Sequence, residues 1–195
     1  MSFSSNLRKQ LGEMYNKAVD NEITYLKKLG GRAIRYAYKK GHGNGKVRNH
    51  GPYRDGKWRH RSYNLHDSIG SAVFVAGNVI EDSITVIGGG SKSRGLSTKN
   101  DRRTGRSGRS TLLEFFHNSH FGQKKGEIVL VCMAAMYYSG FLEGGYHYGH
   151  YKIQVISAAR DYIERYRKKT DVKSRVMVKR YVRLHKGEWD KLGDI

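Results

Sequence analysis

The sequence is short of the residues that staple a fold or carry it through a bilayer. One cysteine, Cys132, leaves no intrachain disulfide and no cysteine-based zinc finger to be made. Proline occurs once, at Pro52. The longest apolar run, residues 128–138, has eleven residues, where a membrane span needs roughly 20, so no membrane partner is expected. The opening MSFSSNLRKQ lacks the apolar region of a signal peptide, and a soluble protein made inside the cell is expected. Acidic side chains are scarce too: 17 Asp+Glu stand against 37 Lys+Arg, a formal charge of +20 over 195 residues. At about 100–200 residues per domain, that length fits one domain with extensions.

A charge this high repels itself and calls for acidic company, either nucleic acid or acidic protein neighbours. Its distribution is uneven. Residues 41–66 carry six basic and one acidic side chain, and residues 88–126 carry nine and two. Residues 67–87 and 127–150 carry no Lys or Arg, and they are the most strand-like and apolar stretches. The pattern predicts an ordinary core wearing basic loops and helix faces, rather than one dedicated nucleic-acid groove.

Residues 3–40 show the spacing of an amphipathic helix, with Leu7, Leu11, Met14 and Ala18 on one stripe and Tyr15, Val19, Ile23 and Leu26 one residue on. Gly30-Gly31 predicts a kink or break inside it. Residues 42–55 form a Gly-, Asn- and Pro-containing loop. Residues 65–75 and 83–88 read as an antiparallel hairpin turning at Asn78. Residues 88–110 have almost no apolar content and read as a long basic loop, followed by a short segment, 112–121, of undefined type. Residues 127–138 are the most buried-looking strand. Beyond a Gly-rich bend, residues 151–169 read as a second helix. The expected fold is α+β: a long N-terminal helix, a curved antiparallel sheet, and a C-terminal helix packed on the sheet. The domain is expected over 1–169, with the basic insertion at about 88–126. Residues 170–195 form a C-terminal arm, strand-like over 175–184, that should be removable without unfolding the core. Such a strand pairs with its own sheet or with a neighbour's edge.

Few residues suggest chemistry. The pairs His117/His120 and His147/His150 have metal-like spacing, but no clustered acid or cysteine completes a ligand set. The acids Asp67, Glu81, Asp82, Glu114, Glu127 and Glu143 are scattered, and no Gly-x-Ser-x-Gly elbow or phosphate loop is present. Neither catalysis nor a cofactor is expected. The basic loop holds Lys92, Arg94, Lys99, Arg102, Arg103, Arg106 and Arg109. These are candidates for phosphate or interface contact, without the interleaved aromatics that stack single-stranded bases.

Two motifs carry a family resemblance. The first is Leu65-His66-Asp67-Ser68-Ile69, entering a strand after a basic loop. The second is Tyr138-Ser139-Gly140-Phe141-Leu142-Glu143-Gly144-Gly145, leaving a hydrophobic strand ahead of a helix. Together they resemble the tail-completion, or head–tail joining, family of tailed bacteriophages, over roughly residues 5–168. The resemblance implies a structural protein of the virion neck, assembled in the bacterial host cytoplasm. It implies a homo-oligomeric ring that joins the portal or adaptor ring to tail proteins, with its basic surface near genomic DNA in the channel. Leu65, Ser68, Ile69, Tyr138, Phe141, Glu143 and Gly145 are the residues it singles out. Glu143 would cap a turn or meet a basic residue across a subunit boundary. The residues alone also fit a free nucleic-acid-binding protein that grips phosphates with 41–62 and 88–110.

Overall fold

The computed structural model describes residues 3–41, 64–88, 107–136, 139, 155–170, 172–181 and 192–194. Helix α1 (Phe3–Gly41) is one continuous rod of 39 residues. The glycine pair does not break it. Gly30 instead lets the helix lie close on the sheet, because a Cβ there would stand 2.7 Å from Leu130 Cδ1 and 2.8 Å from Ser71 Oγ. Tertiary packing thus outweighs the helix penalty of glycine. Leu26, Leu29, Ala33, Ile34 and Ala37 are buried along the face that Gly30 brings down.

A single turn, α2 (Asn64–Asp67), feeds strand β1 (Ile69–Val75). The hairpin turns at Ala76-Gly77, with φ of 49° and 87°, one position before Asn78. Strand β2 (Asn78–Val79) is then interrupted by a 3₁₀ turn at Glu81–Ser83 before β3 (Thr85–Val86) resumes pairing with β1. Ser83 holds the interruption. Its Oγ accepts from Val73 N at 2.8 Å and donates to Ile80 O at 2.6 Å. Helix α3 (Gly108–Asn118), strand β4 (Ile128–Ala134), helix α4 (Ser157–Tyr166), strand β5 (Ser174–Tyr181) and strand β6 (Leu192–Asp194) complete the order.

The sheet runs β2-β1-β4-β5-β6, with β3 also on β1, and it is open. The fold is α+β as expected, but the sheet is mixed rather than antiparallel throughout, because β4 and β5 pair in parallel from Ile128↔Ser174 to Ala134↔Arg180. Helix α4 is the cause. Lying between the two strands, it returns the chain to the end where β4 began.

Alternate residues of the strands line two cores. On one face Ile69, Val73, Leu130, Cys132 and Val178 meet α1 and α4. On the other Ala72, Phe74, Val129, Val131 and Met133 meet α3 through Leu112 and Phe116. Every residue of β4 is buried, which explains its unbroken apolar run. Two expectations are corrected here. The basic loop does not extend to 110, and the insertion is not all loop to 126, since Ser107 caps α3 and α3 roofs the second core. The strand-like run expected over 175–184 runs Ser174–Tyr181 and takes one of the two pairings expected of it, with its own sheet, between β4 and β6. Among the described residues, no helix is long and apolar enough to cross a membrane.

Candidate functional site

The first motif forms the junction of α2 and β1. Leu65, Ser68 and Ile69 are all buried. Ser68 closes the junction, its N–H donating to Leu65 O at 3.2 Å and its hydroxyl to the same oxygen at 2.8 Å. Ser68 O then accepts from Ala135 N at 2.9 Å, and Ile69 O from Ile87 N at 3.1 Å. One turn of chain thereby fastens the start of β1 to the end of β4 and to the exit of β3.

Further contacts converge on α2. The Gly108 N–H donates to Asn64 Oδ1 at 3.1 Å in a buried bond. A side chain on Gly108 would collide with the Asn64 carbonyl, and one on Gly88 with the Asp67 carboxylate. Arg109 Nη1 donates to Gly88 O at 3.5 Å. His66 pairs its Nδ1 with Asp67 Oδ1 at 2.8 Å and takes the Tyr38 ring edge-on at 5.0 Å. Hence α2 bears the chain ends at Asn64, Gly88 and Ser107, and the α1 end at Gly41 lies three residues beyond the Tyr38 contact. The two segments between these ends, 42–63 and 89–106, each hold six basic residues and one acid.

Of the candidate basic residues, Arg109 is placed on α3 beside the Gly108–Asn64 bond, while Lys92, Arg94, Lys99, Arg102, Arg103 and Arg106 lie outside the described residues. Tyr138, Phe141, Glu143 and Gly145 do so too. The second motif is represented by Ser139, which is buried and donates through Oγ to Ala134 O at 3.0 Å. Since Ala134 pairs with Ile69, Ser139 is tied to the end of the strand pair at which the first motif enters β1. Asn64, Gly88, Gly108 and Tyr38 were missed by sequence reasoning, which named His66 and Asp67 within the first motif without assigning them this role. The glycines flanking the basic segment were the one visible signal. His117 Nε2 pairs with Glu81 at 3.2 Å, and His120 Nδ1 lies 3.2 Å from Gly77 O, so these two histidines serve separate local contacts. Among the described residues, no three His, Cys, Asp or Glu side chains gather as metal ligands. Burial pushes the Cys132 thiol up to about 12, which keeps it protonated and inert.

No family model matches the chain, and no curated protein or solved structure matches it.

Proposed function

We propose that the chain is a structural subunit of a ring in the neck of a tailed-phage virion, joining the portal or adaptor to tail components. Its work is binding, with contacts that repeat around a closed ring. The observation that carries this reading is the first half of α1. Residues 6–17 are all exposed, and they include Leu7, Leu11, Met14 and Tyr15 at 47–68% exposure. Four large apolar side chains on one helix stretch form a surface that an isolated subunit leaves in water and an assembly covers. Ser139 of the second motif, tied to Ala134 beside Ile69 of the first, gives further support.

Electron microscopy and native mass spectrometry of the purified chain test the reading. Closed rings are expected, and a chain that stays monomeric at every concentration overturns it. A second reading, a protein that holds nucleic acid by phosphates, is favoured by α2, which bears ends of both basic segments. Tight duplex binding by the monomer would establish that reading in place of the first.

A further inference from the structure

A second feature lies across the sheet from the 3₁₀ turn. Between α4 and β5 runs a groove of about 540 Å³, lined by Arg160, Glu164 and Arg167 of α4 and its exit, and by residues 175–178 of β5. Three guanidinium groups line it with one carboxylate, Glu164, while Glu127 pairs with Arg175 and Glu22 accepts from Ser174 Oγ at 2.6 Å beside Arg167. The strand that lines it is paired unevenly along its two edges. On one side β5 pairs with β4 from residue 174 to 180, but β6 meets it on the other side only at Lys179–Tyr181. Among the described residues, no strand pairs with the outer edge of 174–178. Arg167 braces the start of that edge, donating from Nη2 to Ser174 O at 2.5 Å and to Ser174 Oγ at 2.9 Å. Arg175 reaches Glu127 at 3.3 Å while staying half exposed. A groove walled by arginines attracts a segment that brings carboxylates.

The chain itself carries such a segment on its opposite flank. Glu81 and Asp82 stand on the 3₁₀ turn between β2 and β3, with side chains 72% and 80% exposed. Their local partners, His117 and Lys27, form exposed pairs that water screens, so both carboxylates remain accessible. The short strand that follows, Thr85–Val86, pairs with β1. Strands β1, β4 and β5 separate the turn from the groove, so one copy cannot bring its own two features together.

We infer that the arginine groove of one copy receives the Glu81–Asp82 turn of a second copy, and that this contact is the lateral joint of the ring. The inference rests on the ring reading above and names its interface. Two different patches meet, so the contact is heterologous and propagates head to tail until it closes. Opposite charge on the two flanks orients each incoming copy the same way. It also gives a chain of +20 a place where acid meets base between copies.

Charge reversal on the full-length chain tests this. R160E/R175E and E81K/D82K should each raise the concentration for half-assembly at least about tenfold, a loss of about 1.4 kcal/mol per contact. An equimolar mixture of the two should assemble again, because reversed charges face reversed charges. R160E alone, at an exposed helix position, should weaken assembly with an unchanged melting temperature, which separates the contact from folding. If both double variants form rings at the wild-type concentration, the joint is elsewhere and the inference is overturned, while the neck reading stands. If the mixture fails to assemble although each variant melts like wild type, the pairing of these two patches is wrong. A wild-type chain that never self-associates removes the neck reading itself.

Discussion

At the scale of single residues, several positions are fixed by what surrounds them. Gly108 lies against the Asn64 carbonyl, a backbone group that cannot swing away as a long side chain can. Gly108→Ala should therefore cost about 1–3 kcal/mol, the usual range for overpacking. The measurement is the denaturant midpoint, and an unchanged midpoint would show that α2 and α3 are not clamped together. Cys132 is held by burial alone. Its thiol, pushed from 9.0 to about 12, should resist thiol reagents at mildly alkaline pH until denaturant is added, and rapid labelling of the folded chain would contradict its burial. The sign follows for stability. A raised pKa favours the protonated form in the fold, so the contribution is present below about pH 9 and is lost as pH climbs toward about 12. Ser71 is less comfortable, for its buried Oγ finds no hydrogen-bond partner among the described residues. The close approach of Gly30 accounts for a small side chain there, but nothing in the structure explains the hydroxyl.

Among the elements, β5 decides how much of the chain is one unit. It meets β4 over seven residue pairs, and Val178 is buried in the larger core. A chain ending at residue 170 would leave the most apolar strand unpaired along one edge, a ready template for aggregation. Such a truncation should lose cooperative thermal unfolding or appear as aggregate, as read by circular dichroism and sizing. A soluble, cooperatively melting product would show that β5 is dispensable. Helix α3 makes a parallel point. Its Leu112 and Phe116, four residues apart, roof the second core, with Phe116 edge-on to Phe74 at 6.3 Å. Phe115 and Phe121 pack partly buried beside them, so this segment is part of the core and not an insertion hung from it.

Over the whole molecule, charge and topology act together. The +20 is not spread evenly. Much of it belongs to two segments that each have an end at α2, while carboxylates occupy one flank of the sheet and arginines the other. Any binding of the assembled protein to duplex DNA should be electrostatic. Raising salt from about 50 to 200 mM should cut affinity by orders of magnitude, as a fluorescence titration at the two salts would read. Affinity insensitive to salt would mean that the basic segments do not grip phosphates.

The sequence by itself determined the elements whose patterns are local. The heptad-like spacing of Leu26, Ala33 and Ala37 specifies the buried face of α1, and the unbroken apolar run 128–131 specifies the central strand, because side-chain periodicity follows from backbone geometry alone. Residues 107–118 were illegible as a helix because basic and glycine-rich neighbours masked a short apolar face that only the sheet could recognise. The parallel pairing of β5, the unbroken passage of α1 through Gly30-Gly31, and the convergence on α2 were decided by the tertiary structure. Each depends on contacts between residues far apart in the chain, such as Asn64 with Gly108 and Ser71 with Gly30. No local pattern encodes such contacts, since their energy exists only once the layers have closed on one another.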